Sequence, residues 1–269
     1  MRLARSAAER GYRLEIFEHL GSTNDQAMAC ARAGDPGQLW IVAQTQSAGR
    51  GRHGRIWTSP PGNLYASLLL IDPAPRAHAP ELGFVAGVAL AETLHGILGY
   101  DQRLALKWPN DLVFDGAKFC GLLLEATATP EGRFACVAGF GVNCRSHPQG
   151  LPYPTTDLAA LGVVCEAGDV LTLLSASMAS WLDRWAGGAN FAEVREAWLR
   201  HAGHLDRPVR VTFGAKSVEG LFRTIDAAGR LVLETETGRM TLDAGDVFLL
   251  EREDGQAPSA QEQCLDDRT

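Results

Sequence analysis

The sequence predicts an α+β protein in which interspersed strands and helices give way to a small β-barrel. Three observations predict it. Apolar residues recur at helical spacing over 81–98, 170–185 and 191–201, whereas 39–45, 63–71, 118–127 and 134–143 are short apolar runs bounded by turn residues. Asp115-Gly116 separates two such runs and is a strong two-residue hairpin signal. After Pro208 the texture changes to short strands split by turns, as in a small barrel.

Taken in order, residues 14–20 form a short strand ended by Gly21. Ser22 or Thr23 then caps a helix that closes at Gly34, with Gln26 three residues after Thr23 as in a capping box. Strands follow at 39–45 and 63–71, and the Ala-, Leu- and Val-rich 81–98 is a buried helix. Residues 104–108, 112–114, 118–127 and 134–143 are strands. Amphipathic helices cover 170–185 and 191–201, the second stopped by Gly203, so that His201 and His204 mark a helix end. The barrel strands are 209–213, 218–225, 231–236, 240–242 and 247–250. The remainder is polar, and there is no internal repeat.

A chain of 269 residues, 46% hydrophobic and 21% charged, suits a soluble globular protein with a sizeable core. Its formal charge of −7 argues against general affinity for nucleic acid or an anionic membrane, so any anion site must be local. The six cysteines show no C-x-x-C pair, and most sit in apolar runs, as buried thiols do in a reducing cytoplasm. The N-terminus lacks an apolar signal core, and no stretch reads as long enough to span a bilayer.

One stretch stands against this acidic background. In SAGRGRHGRIW, residues 47–57, Arg50, Arg52 and Arg55 alternate with Gly49, Gly51 and Gly54. GRGRHG matches the dinucleotide fingerprint G-x-G-x-x-G, but that motif works only when a helix opens at its last glycine; here RIWTSPPGN follows, which is loop. An arginine–glycine nucleic-acid segment would be longer and interleaved with aromatics. The remaining readings are a solvated surface loop and a mobile lid whose guanidinium forks grip a phosphate or carboxylate. No Asp or Glu occurs over 36–71, so the arginines lack an acidic neighbour in sequence, which favours the lid.

Three further stretches accompany the loop: STND (22–25), KWPNDLVFDGAKFCGLLLE (107–125) and VAGFGVN (137–143). With QTQSAGRGRHGRIW (44–57) they resemble the biotin protein ligases, over about residues 14–250. The resemblance implies a mixed-sheet catalytic domain, related to class II aminoacyl-tRNA synthetases and lipoate ligases, over 1–204. It implies an SH3-like barrel over 205–252, leaving 253–269 as a polar tail. The catalytic pattern already begins at Ser22, which implies the monofunctional type without an N-terminal DNA-binding domain. His53 stands where some relatives carry a further arginine, a departure that bears on how tightly the lid closes.

The resemblance also assigns roles. The activity is formation of biotinyl-5′-AMP from biotin and ATP with Mg²⁺, then transfer to a lysine of a biotin carboxyl carrier domain, with no nucleic-acid or membrane partner and a homodimer left open. Ser22, Thr23, Asn24 and Gln46 match biotin contacts, although a plain helix cap explains Ser22 or Thr23 as well. Gly49, Gly51, Gly121 and Gly139 fall in the same biotin set. Arg50 and Arg52 bind the carboxylate and then the adenylate phosphate, and Arg55 joins the nucleotide set. Lys118 is the catalytic cation, its alternative being a charge that protects an edge strand. Asp111 is a magnesium or ATP ligand, Lys107 reaches the triphosphate, and Asn110 joins the nucleotide set; a buried structural ion pair is the alternative for Lys107 and Asp111. Trp57 either stacks under adenine or belongs to the core. Gly139, Gly141 and Asn143 share one strand face, predicting a flat shelf for a ring with a hydrogen-bonding group at its end. A lipoate ligase on the same fold and a non-catalytic biotin or nucleotide sensor are the competing functions.

Overall fold

The computed structural model describes residues 1–250. The reading of 253–269 as a polar tail lies outside them, as does Cys264. Strands β1 (Arg13–Leu20), β2 (Leu39–Gln46), β3 (Leu64–Ile71), β4 (Leu104–Lys107), β5 (Asp111–Phe114), β6 (Ala117–Ala128) and β7 (Phe134–Val142) form one sheet in the order β1-β2-β3-β7-β6-β5-β4. Only β1 and β2 run parallel, so the sheet is mixed. The parallel pair is joined by helix α2 (Thr23–Arg32), the crossover such a connection requires. The sequence did not signal helix α1 (Arg5–Glu9), which is a single turn of small and polar residues.

Helices cover both faces. On one side Ala27, Met28 and Ala31 of α2 pack on Ile41, Leu69 and Val137. On the other side lie α3 (Leu82–Leu98), α4 (Ala167–Trp185) and α5 (Phe191–His201), which carry Leu90, Trp181 and Trp198 into the main core. With the 3₁₀ turn before it, α3 spans 23 residues and is long and apolar enough, by length and composition only, to cross a membrane. This corrects the expectation that no stretch would be. Its apolar character is spent on the core: Leu82, Val85, Val88 and Leu94 are fully covered.

Strands β8 (Pro208–Phe213), β9 (Lys216–Ile225), β10 (Leu231–Thr235), β11 (Gly238–Leu242) and β12 (Asp246–Leu249) form a second, antiparallel sheet in the order β11-β10-β9-β8-β12. This small β-unit joins the first rather than hanging from a linker. Val209, Phe222 and Ile225 belong to the same core as the helices, the Trp198 and Phe222 rings lie 6.5 Å apart, and Trp108 Nε1 donates to Gly229 O at 3.3 Å. Each such side chain, fully buried, is worth about 1.5–3 kcal/mol, so the two units are fixed rigidly enough to share a site. The expected helix end at His201 and His204 is more enclosed than the sequence suggested: His204 is buried and His201 stacks on His95.

Candidate functional site

The N-terminus of α2 points at the sheet where β2, β3, β6 and β7 run side by side. Ser22 is its cap, extended at φ −154° with its hydroxyl accepting from Asp25 N. Gln26 does not close a capping box, because the cap falls one residue earlier than Thr23, and its amide lies beside Cys30 Sγ instead. Thr23 and Asn24 are buried against the sheet. Gln46 Oε1 accepts from Thr23 N at 2.8 Å and from Thr23 Oγ1 at 3.1 Å, while Gln46 Nε2 donates to Ser59 Oγ at 3.0 Å. Asn24 Nδ2 donates to Glu125 Oε2 at 2.8 Å, and Ser67 Oγ donates to Asn24 Oδ1 at 2.6 Å. An ionised carboxylate only accepts, so Glu125 fixes which way the Asn24 amide faces. Sequence reasoning missed Ser59, Ser67 and Glu125. Ser67 carried a signal, as the single serine in the largely apolar strand LYASLLLI.

The glycines of β7 accommodate protein rather than present a bare shelf, which corrects the sequence expectation. A Cβ on Gly139 would fall 2.3 Å from Asn24 Oδ1, and one on Gly141 would fall 2.5 Å from the Trp57 ring. Trp57 therefore lies flat over β6 and β7, its indole N–H buried without a hydrogen-bond partner among the described residues. Asn143 is likewise corrected. It is buried away from the cleft, where its Nδ2 donates to Thr156 O at 3.0 Å and pins the following loop. Gly49 also stands outside the cleft wall, at the base of the arginine loop, where its carbonyl accepts from Trp57 N.

The arginine loop is folded. Arg50 and Ile56 form an antiparallel bridge, Gly51 N donates to Arg55 O at 2.8 Å, and residues Arg52–Gly54 make a 3₁₀ turn with His53 left-handed at φ +56°. The carboxylates missing from the loop's own sequence arrive from three distant elements. Arg50 reaches Asp25 at 2.6 Å and Glu125 at 3.2 Å. Arg55 pairs with Asp246 at the start of β12. Arg52 donates to Asn110 Oδ1 and Gly245 O, each at 3.3 Å, with Asp246 at 3.8 Å. Burial pushes the Asp246 carboxyl upward, but the Arg55 hydrogen bond together with the nearby charge of Arg55 and Arg52 outweighs it and holds the group below the ordinary carboxylate value. Asp246 gave no sequence signal.

Below the loop lies the hairpin of β5 and β6. Lys118 Nζ is 2.9 Å from Asp111 Oδ1 and 5.5 Å from the Trp57 ring centre. Asp111 thus has an ion-pair partner in Lys118, but the pair lines the cleft and is partly exposed rather than buried. For Lys107 the ion-pair alternative does not hold: no carboxylate lies within salt-bridge reach among the described residues, and its ammonium sits 5.2 Å over the Phe248 ring. Burial lowers the Lys107 pKa, Lys118 lowers it further, and Asp111 opposes them. A half-buried cation without a carboxylate gains from any anion that arrives.

These pieces enclose a cleft of about 750 Å³. Its walls hold Ser22, Thr23, Asn24 and Gln46 at the α2 end, with Gly121, Gly139 and Gly141 beneath. Arg50, Gly51, Arg52, Arg55 and Trp57 come from the loop, and Lys107, Asn110, Asp111 and Lys118 from the hairpin side. Two contributors were not expected: the loop 151–154, including Tyr153, and the β12 residues Asp246 and Phe248. One end is neutral, polar and satisfied by hydrogen bonds, whereas the other is cationic.

Residues 22–143 match the biotin/lipoate A/B protein ligase family, and residues 204–250 match the biotin protein ligase C-terminal domain. The biotin–[acetyl-CoA-carboxylase] ligase of Paracoccus denitrificans is 36% identical over 84% of this chain and 96% of its own length. The chain belongs to the biotin protein ligase family. The Mycobacterium tuberculosis biotin–[acetyl-CoA-carboxylase] ligase is 32% identical over 90% of this chain and 91% of its own. Among solved structures, the Aquifex aeolicus biotin protein ligase in complex with biotin and ATP superposes with a TM-score of 0.76. It has 25% identity and covers 88% of this chain and 98% of that one. As a biotin protein ligase, this chain has both parts of the family's architecture, the mixed-sheet domain and the C-terminal β-unit.

Among the described residues there is no group of three or more His, Cys, Asp or Glu able to hold a metal by itself. Asp111 is a single carboxylate with Lys118 on one oxygen, facing the cationic end of the cleft. That donor set fits Mg²⁺ in the form that takes one or two carboxylates plus phosphate oxygens.

Proposed function

We propose that this biotin protein ligase joins biotin to ATP as biotinyl-5′-AMP and passes the biotinyl group to a lysine of a carboxylase's biotin carboxyl carrier domain. The observation that carries the assignment of residues is the polarity of the cleft. Thr23, Asn24 and Gln46 offer a neutral polar end suited to an uncharged ureido ring, and Arg52, Arg55, Lys107 and Lys118 make the opposite end cationic.

A carboxylate oxygen of biotin attacks the α-phosphorus of ATP, the bond to the bridging β-phosphate oxygen breaks, and pyrophosphate leaves. Lys118 stands where negative charge grows on the α-phosphate, its position fixed by Asp111. Lys107 and Arg55 face the departing pyrophosphate, and Arg52, anchored on Asn110 and Gly245, clamps the remaining phosphate. Asp111 would hold Mg²⁺, which when bound would neutralise part of the triphosphate charge. The acceptor amine then attacks the acyl carbon, AMP leaves, and the amine gives up a proton. No residue is acylated, so the protein contributes position and charge. Trp57 lies between the two ends as a flat apolar divider for the ligand's rings.

The test is pyrophosphate release from ATP with biotin, or with lipoate in a parallel arm, followed by transfer of label to a biotin carboxyl carrier domain. Release with lipoate and none with biotin would overturn the reading, as would ligand binding with no pyrophosphate released.

A further inference from the structure

Of the acidic residues described, only Asp157 is buried, at 3% exposure. A carboxylate is enclosed at this cost only when its oxygens are hydrogen-bonded. Here Oδ1 accepts from Ala160 N at 2.7 Å, and Oδ2 faces His147 Nδ1 at 2.5 Å. Since the carboxylate accepts, the ring donates at Nδ1, and its Nε2 lies 2.7 Å from Gln149 Nε2. The His147–Asp157 pair closes the base of a loop, and Thr155 Oγ1, donating to Pro148 O at 2.6 Å, braces it higher up.

The loop matters because of what it touches. Strand β7 ends at Val142, opposite Cys120, so it does not reach Lys118. On the other flank, the ladder to β5 is irregular between Leu112 and Val113, with Val113 opposite Lys118. The returning limb of the loop takes the place β7 has left. Lys118 N donates to Pro154 O at 2.8 Å, and Thr156 N donates to Lys118 O at 3.0 Å, making a parallel bridge between Lys118 and Thr155. From the loop tip, the Tyr153 ring sits 5.9 Å from the Lys118 ammonium.

We propose that His147 and Asp157 are positioning residues for the ligase reaction: their clip holds the 154–156 limb as a substitute strand against Lys118 and thereby sets that lysine in the cleft. The catalytic consequence rests on the role proposed above for Lys118, whereas the structural claim stands by itself.

The experiment compares full-length wild type with His147→Ala and His147→Asn. Asparagine places an N–H donor where Nδ1 stood. The readouts are hydrogen exchange at the Lys118 and Thr156 amides, and kcat and KM for pyrophosphate release. A hydrogen bond of this kind is worth on the order of a tenfold change. His147→Ala is therefore expected to exchange both amides about tenfold faster and to lower kcat about tenfold, with KM for biotin little changed and the fold retained. His147→Asn should restore both. Unchanged exchange at the two amides in His147→Ala would overturn the proposal, as would a loss of kcat that His147→Asn fails to rescue. If the wild type released no pyrophosphate with biotin, the functional reading would fall, and the exchange comparison would still decide whether the clip holds Lys118.

Discussion

Lys118 Nζ and Asp111 Oδ1 face each other at 2.9 Å across the hairpin that Asp115 and Gly116 turn. The pair brings together a cation for growing phosphate charge and a carboxylate suited to Mg²⁺, each limiting the movement of the other. Lys118→Gln removes the charge while keeping a polar side chain of similar bulk. Losing one preorganised charge donor costs roughly 3 kcal/mol in the transition state, so adenylate formation should fall about a hundredfold or more with the melting temperature nearly unchanged. Biotin-dependent pyrophosphate release checks this, and a variant within threefold of wild type would remove Lys118 from the chemical step.

Arg52 separates making the intermediate from keeping it. It is held by Asn110 and Gly245 rather than by a close carboxylate, which leaves its charge for the ligand. Arg52→Gly should still release pyrophosphate but lose biotinyl-AMP about tenfold to a hundredfold faster, because a guanidinium–phosphate contact is worth roughly 1.5–3 kcal/mol. The escaped acyl donor would label bystander lysines, visible by streptavidin blotting. No excess labelling over wild type would count against the clamp.

Asp246 latches the arginine loop to β12 through Arg55 and, at longer range, Arg52. The Arg55 side chain is 61% exposed, and an exposed ion pair of this kind is worth at most about 1 kcal/mol. Asp246→Asn should accordingly speed tryptic cleavage after Arg52 or Arg55 by no more than about fivefold, and biotin with ATP should slow it in both proteins. Equal cleavage of variant and wild type would show that the latch does not restrain the loop.

Stability should fall on the acid side of neutrality. Burial lowers the pKa of His204 to about 4, with Lys107 and Arg207 contributing, and that of His201 to about 4, with His95 and Arg200 contributing. Between the ordinary value of 6.5 and about 4 the unfolded chain binds protons that the native chain refuses, so stability decreases as pH falls through this window. Each pH unit there costs up to about 1.4 kcal/mol per histidine. Melting curves from pH 7 to 4 should show the decline, with a shallower slope in His204→Gln. A slope that the substitution leaves unaltered would assign the acid sensitivity elsewhere.

Local pattern carried most of the architecture. Helical spacing located α3, α4 and α5, apolar runs located β1–β7, and Asp115-Gly116 located the β5–β6 hairpin, because side-chain period and turn chemistry act between near neighbours. The motifs 22–25, 44–57 and 107–125 likewise contain most of the residues that line the cleft.

Only the tertiary structure decided what those residues meet. Arg50 pairs with Glu125 across 75 positions, Asn24 with Glu125 across 101, and Arg55 with Asp246 across 191. It also decided that Gly139 and Gly141 make room for Asn24 and Trp57, and that Asn143 braces a loop away from the cleft. A charge or hydrogen bond depends on distance in space, and sequence separation sets that distance only within one element. The acid-free stretch 36–71 therefore showed that the arginines needed partners, and the packing of α2, β6 and β12 around the loop determined which carboxylates they found.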